Sequence, residues 1–259
     1  MGSPAFLSEV VITDSNKWID FELDAGEQNA SIATGTYDDM RAVAAAHQAA
    51  IQALGGAAAS VTISIGSDGT TTINLGGTGK LLWKTGTHGS DNTDTHCGDL
   101  YGFSDAADDT GAASLDSDNQ HQHGFYANMG VKIDTKDRAD SPGPATEITM
   151  DGTCERFSWS RNSDKNRIRE VELQFITPAK FFEAEAGTNE SLEKWWRDDA
   201  SKGTYFQYYS DSSDFDNNDE GKYALIVDND PNLLDGINRE SPGEEYYQKV
   251  VFRMRRQGS

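Results

Sequence analysis

The sequence predicts an α+β fold that is mostly β: two antiparallel β-rich lobes of sandwich or barrel type, each carrying one helix. Three observations lead there. Short apolar stretches with every-second-residue alternation recur along the chain, which is the strand period. Only two stretches place apolar residues at the three-and-four spacing of a helix. Gly, Asp, Asn and Ser cluster between these stretches, as turns require. The lobes are expected over residues 1–104 and 146–259, with a long polar excursion over residues 105–145.

From the N-terminus, Phe6 to Ile12 reads as a first strand and Trp18 to Leu23 as a second, with Asp14-Ser15-Asn16 turning between them. The long amphipathic helix follows. Thr36, with Asp39 three residues on, reads as an N-cap with an acidic partner, so the helix is expected over residues 37–54. Met40, Val43, Ala44, His47, Ile51 and Leu54 form its apolar stripe, and Gly55-Gly56 ends it. Val61–Ile65, Thr70–Leu75 and Lys80–Trp83 are separated by Ser67-Asp68-Gly69 and by a Gly-rich turn, a pattern that predicts a three-strand antiparallel meander covered by that helix.

From Gly86 to Pro144 small and polar residues dominate, which predicts a surface excursion that meets a neighbour. Regular patterning resumes with a hairpin over Glu147–Ser160, turned at Asp151-Gly152, and with Arg167–Ile176, which alternates charged and apolar residues. A second helix is expected over residues 189–199, with Leu192, Trp195 and Trp196 inward and Gly203 near its end. Strands at Thr204–Tyr209, Tyr223–Val227 and Tyr246–Met254 complete the chain, the first two separated by an acidic loop from Asp211 to Gly221.

With 36% hydrophobic residues among 259, the chain can bury a core. A formal charge of −21 opposes any phosphate-binding surface and any anionic membrane. No run approaches the ~18 apolar residues of a membrane span, and no secretory leader opens the chain, so a soluble product is expected. Cys97 and Cys154 are too few for a disulfide scaffold; a pair and two reduced thiols are both open.

Candidate sites are few. His121 and His123, with His96 and Cys97 upstream, are metal-binding residue types, and alternate strand residues point the same way; a polar interface loop is the ordinary alternative. Asp216 to Gly221 matches the first half of a calcium loop, but Val227 stands where a bidentate Glu belongs. No nucleophile elbow occurs, and Gly76-Gly77-Thr78-Gly79-Lys80 lacks both the spacing and the following helix of a phosphate loop. These readings leave an expectation of no enzyme activity and no cofactor. Arg253, Arg255 and Arg256 form the one basic cluster, suited to an acidic face on another copy of the chain or else a solvated tail. With His121, His123, Phe125 and Tyr126, they are the residues expected at a subunit interface.

The stretch from Glu147 to Arg256 resembles the β-rich core of distal tail and related tail-tip ring proteins of long-tailed bacteriophages. The resemblance is carried by the Asp151-Gly152 hairpin with Phe157 and Trp159, the Arg167–Ile176 strand, the Ser191–Trp196 helix, the Tyr205–Tyr209 strand and the Arg239–Tyr247 run. Residues 32–103 look like a strand, helix and meander module of virion structural proteins. The resemblance implies a virion tail subunit, synthesised in the host cytoplasm. It would form a homo-oligomeric ring, a hexamer, around a channel that DNA passes without binding, beside neighbouring tail proteins. Tail tube or neck components are the nearer alternatives. A carbohydrate-binding or receptor-binding β-module using Tyr101, Phe125 and Tyr126 is the rival from another class.

Overall fold

A computed structural model describes residues 5–23, 26–121, 123–126, 132–138, 145–148, 154–157, 168–174, 191–225 and 250–256. The chain is mostly β, with antiparallel sheets in a sandwich-like arrangement and few helices.

The N-terminal core is built on a five-stranded sheet. Its members are β3 (Trp18–Leu23), β4 (Gly26–Ser31), β6 (Thr62–Ile65), β7 (Thr70–Leu81) and β8 (Asp109–Gln120). Along β7, buried and exposed positions alternate with the strand period: Thr71, Ile73, Leu75 and Leu81 turn inward. Helix α1 (Met40–Gln52) covers this face with Met40, Val43, Ala44, His47 and Ile51, the stripe expected from the sequence. Its remaining member, Leu54, lies beyond the helix and is exposed. Ile19, Phe21, Val61, Ile63, Trp83, Tyr101 and Phe103 close the same cluster. Each large aliphatic or aromatic side chain buried this way contributes roughly 1.5–3 kcal/mol before entropy is set against it.

Three local expectations are corrected. The N-cap of α1 is Asp39, whose carboxylate accepts the Ala42 N–H at 2.9 Å, while Thr36 lies in β5 (Gly35–Tyr37). The cap's extended backbone and its reach to the third N–H decide the start, and Asp supplies both where Thr36 is held in a strand. The expected meander has two strands instead of three. Thr70–Leu75 and Lys80–Leu81 are one continuous strand, and the register with β8 shifts between Asn74 and Gly79. The glycines there form a bulge, not a turn, and Gly76 takes the positive φ of 75° that the irregularity demands. The run Phe6–Ile12 is not one strand either: β1 (Ala5–Ser8) and β2 (Val10–Ile12) part at Glu9 and join different sheets.

Strand β1 belongs to a seven-stranded antiparallel sheet otherwise formed by later residues. Its order is β10 (Lys132–Arg138), β13 (Ile168–Gln174), β16 (Val250–Arg256), β15 (Asp219–Leu225), β14 (Phe206–Tyr209), β1, and β9 (Phe125–Tyr126). Pairing therefore crosses the expected lobe boundaries in both directions. Ala5–Ser8 is zipped to Phe206–Tyr209, and Asp109–Gln120, expected in the polar excursion, is a twelve-residue partner of β7. On one face Phe6 meets Phe125, Trp195, Phe206 and Tyr208, with ring centroids 5.2–6.3 Å apart. Trp195 comes from the second helix, α3 (Leu192–Asp198), which is shorter than the expected 189–199 because Ser191 stands outside it as the N-cap, its hydroxyl accepting the Lys194 N–H. On the other face Ala5, Leu7, Tyr126, Tyr209 and Phe215 pack with Ile65 of β6, so the two sheets share apolar contact.

The expected hairpin is present as β11 (Ala145–Ile148) paired with β12 (Cys154–Phe157), and the strongly alternating strand as β13 with Val171 fully buried. A short ribbon pairs β2 with β5. The single helical turn α2 (Gly98–Tyr101) ends at Gly102, whose φ of 85° and contact with the Asn119 carbonyl leave no room for a Cβ. Residues 226–249, where the end of the Tyr223–Val227 run and the start of the Tyr246–Met254 run were expected, lie outside the described residues.

Candidate functional site

The polar chemistry concentrates where α1 meets the seven-stranded sheet. The Asp39 carboxylate caps α1 with one oxygen and with the other accepts the Tyr209 hydroxyl at 2.6 Å. Two residues along, the Arg41 guanidinium pairs with Asp216 at 2.6 Å and lies over the Phe215 and Tyr209 rings at 4.7 and 5.5 Å. Burial alone would lower the Arg41 pKa, but its hydrogen bonds to Asp216 and Tyr209 and the Asp39 charge raise it. Tyr209 is shifted upward, first by burial and then by Asp39. Lys222 of β15 reaches both Glu9 at 3.0 Å and Asp38 at 2.6 Å. Asp38, Asp39 and Arg41 at the start of α1, and Glu9 between β1 and β2, are thus tied to β14, β15 and the loop between them by four ionic or charge-assisted contacts.

Beside Arg41 lies an open groove of about 410 Å³. One wall is the face of α1 bearing Arg41, Ala44, Ala45 and Gln48; the second is β6 from Ile63 to Ile65; the third is the loop Ser213 to Asp216. The acidic loop is not arranged as a calcium site. Asp216 turns to Arg41, the Asn218 amide oxygen to the Ser210 hydroxyl, and the Asp219 carboxylate to Gln207 and the Gly221 N–H. A guanidinium within the ligand set opposes a dication.

His96, Cys97, His121 and His123 stood out in the sequence only as metal-binding residue types, with a polar interface loop as the ordinary alternative, and the structure gives each its own surroundings. His121 is fully buried: its Nδ1 accepts the His123 N–H at 3.2 Å, so Nε2 carries the proton and donates to Tyr126 Oη at 2.6 Å. Both nitrogens are occupied, and burial holds its pKa near 3. His123 is lowered too, by burial, partly offset by Asp199. Cys97 is a free, buried thiol 3.9 Å from His47, so of the two states left open by the sequence it takes the reduced one; burial pushes its pKa well up. His47 donates from Nε2 to the Lys17 carbonyl at 3.0 Å and accepts the Tyr101 hydroxyl at Nδ1 at 2.8 Å, and burial lowers its pKa to about 4.

His96 does approach two carboxylates: the ligand atoms of Asp94, His96 and Asp105 lie within 4.8 Å of one another. The proton positions oppose a metal there. His96 Nδ1 accepts the Gly98 N–H at 3.0 Å, which places the proton on Nε2, the nitrogen facing Asp94 at 3.5 Å. A metal-ligating imidazole has the reverse polarity, with Nδ1–H donating outward. His88 has that polarity: Nδ1 donates to the fully buried Asp20 at 2.8 Å, the backbone N–H donates to the same carboxylate at 2.5 Å, and the ring stacks on Trp18 at 3.9 Å. It lacks the further His, Cys or carboxylate groups of a metal set among the described residues.

The residues expected at a subunit interface fare differently from one another. His121, Phe125 and Tyr126 are buried within the chain: Tyr126, bonded to His121, packs between the two sheets against Tyr209 and Phe215, while Phe125 packs on the opposite face with Phe6 and Trp195. Arg253, Arg255 and Arg256 lie on β16, an interior strand and not a tail, where Arg253 is in register with Glu170, Arg255 with Ile168 and Ala224, and Arg256 with Tyr223. Sequence reasoning missed the roles of Asp39, Arg41, Asp20 and His88. The one available signal was His47, a polar residue in the middle of an apolar helical stripe, which needs a buried partner.

No helix among the described residues is long and apolar enough to cross a membrane. Comparison with protein-family models, curated proteins and solved structures found no match to this chain.

Proposed function

We propose that this chain is a structural subunit of a bacteriophage tail, in a homo-oligomeric ring at the tail tip beside other tail proteins. The reading starts from the resemblance of element order between Glu147 and Arg256. It is supported by the way those elements meet: β13, β14, β15 and β16, four strands of that stretch, share one continuous sheet with β1. An acidic chain of −21 lining a channel would repel passing DNA and keep it from sticking.

The observation that carries this reading over the sugar-binding rival is the burial of Tyr101, Phe125 and Tyr126, at 0%, 1% and 3% exposure. A glycan platform needs aromatic faces open to solvent. These three are packed inside and hydrogen-bonded to the chain's own histidines or stacked on its own rings.

Light scattering with negative-stain microscopy, at low and high salt and with and without calcium, tests the proposal. Rings or stacked tubes are expected, and their symmetry separates tip from tube. A strict monomer at high concentration, with reproducible binding on a glycan array, would overturn it in favour of the rival.

A further inference from the structure

The groove beside Arg41 has a property that its lining residues alone do not reveal: one wall is an open strand edge. The hairpin of β6 and β7 closes with the Gly66 N–H on the Thr70 carbonyl at 2.7 Å. With Ile63 opposite Ile73 and Ile65 opposite Thr71, this phase turns the backbone groups of Thr62 and Ser64 toward β7 and those of Ile63 and Ile65 away from it. The side chains of α1 bear this out. The Ile63 N–H donates to Gln48 Oε1 at 2.8 Å, and the Val61 carbonyl accepts Gln52 Nε2 at 2.7 Å. Two glutamines thus stand in for a neighbouring strand along the first half of the edge.

Beyond Gln48 the substitution stops. The Ile63 carbonyl and the Ile65 N–H and carbonyl have no hydrogen-bond partner among the described residues, and they face the groove. Ala44 and Ala45 on the helix keep the slot open. The opposite wall is fixed, since the Ser212 hydroxyl donates to the Ser67 carbonyl at 2.8 Å and anchors the acidic loop to the β6–β7 turn. On that wall Asp216 is neutralised by Arg41, whereas among the described residues the exposed Asp214 carboxylate has only the Asn217 amide. An open strand edge beside an uncompensated carboxylate selects an extended chain bearing a cation.

We propose that this groove receives an extended segment of a partner protein, which adds as a strand to the free half of β6 and sets a lysine or arginine side chain against Asp214. Backbone hydrogen bonds to Ile63 and Ile65 supply the affinity and Asp214 the charge selection. Ring assembly is a separate question: a monomeric protein leaves the groove intact, and failure of the groove leaves assembly untouched.

The test uses the full chain and a fluorescent heptapeptide alternating Val and Lys, titrated by anisotropy. Its controls are a Val-Glu twin and a Val-Lys peptide N-methylated at alternate residues. The Val-Lys peptide is expected to bind, and both controls to bind at least about tenfold more weakly. Ala45→Trp, at an exposed helix position that fills the slot, should reduce binding by a similar factor with an unchanged melting temperature, and Asp214→Asn should narrow the gap between the Lys and Glu peptides. Equal binding of the N-methylated peptide, indifference to Ala45→Trp, or no binding at millimolar peptide would overturn the assignment. So would a concentration-dependent dimer that Ala45→Trp dissolves, since that would place a second copy in the groove.

Discussion

Asp39 does two jobs with one carboxylate, and the pairing can be measured. In Asp39→Ala, α1 loses its N-cap, at about 1 kcal/mol. The Tyr209 hydroxyl loses its acceptor in a buried setting, which costs about 1–3 kcal/mol more. The expected loss is therefore about 2–4 kcal/mol. Tyr209→Phe removes the donor but leaves the cap intact, since the Ala42 N–H still reaches the other oxygen at 2.9 Å. Its expected cost is about 1.5 kcal/mol. In the double variant the phenol is no longer stranded, so its destabilisation should fall short of the sum of the singles by about 1–2 kcal/mol. Urea unfolding followed by tryptophan fluorescence reads all three. Additivity within about 0.5 kcal/mol would refute the claim that this contact ties helix to sheet.

Acid should weaken the fold through its buried histidines. His47 and His121 have folded pKa values lowered by burial to about 4 and about 3, below the unfolded value near 6.5. Well above about pH 6.5 neither state binds the proton and nothing is lost. As pH falls below about 6.5 the unfolded chain takes up protons that the folded chain refuses, so stability drops by up to about 1.4 kcal/mol per pH unit for each histidine. Urea midpoints between about pH 7 and 5 should show this slope, and His47→Gln should flatten it; a flat wild-type profile would contradict the burial. Gly102→Ala should cost roughly 2 kcal/mol or more, because φ is +85° and the new Cβ would sit 2.2 Å from the Asn119 carbonyl oxygen; an unchanged melting temperature would speak against the turn as described. In a Cys154→Ser background, Cys97 should resist a thiol reagent at about pH 8 until denaturant is added, and prompt labelling of the native protein would show that it is not enclosed.

The parts of the fold legible in the sequence are those whose signal is periodic and local. The α1 stripe is of that kind, because burial on one face imposes the period directly, and the alternation over Arg167–Ile176 likewise marks the strand β13. The parts that escaped depend on partners far away. Phe6 to Ile12 reads as one strand whose apolar residues flank only the short polar pair Ser8-Glu9, and it is the separate pairing with Phe206–Tyr209 and Gly35–Tyr37 that divides it at Glu9. Asp109 to Gln120 holds a single large apolar residue, Leu115, and so gives no strand signal; it is a strand because β7 offers it an edge. The glycines at 76, 77 and 79 permit a turn or a bulge equally well, and the pairing with β8 across both halves of β7 selects the bulge.

The site was less legible than the fold for a related reason. Each polar residue at the seam is ordinary in its own segment: Asp39 reads as the acidic partner of a Thr36 cap, and Tyr209 as one aromatic among several in its strand. Their roles arise only when residues 170 and 175 positions apart meet, as Tyr209 meets Asp39 and Asp216 meets Arg41. Three of the acceptors at this seam, Asp38, Asp39 and Glu9, lie near the start of the chain, while Tyr209 and Lys222, which donate to them, come from β14 and β15. With Ala5–Ser8 also paired to Phe206–Tyr209, the first and last thirds of the chain fold as one structure. Changes at the helix N-terminus should therefore be felt in the seven-stranded sheet, and the Asp39–Tyr209 cycle measures that coupling directly.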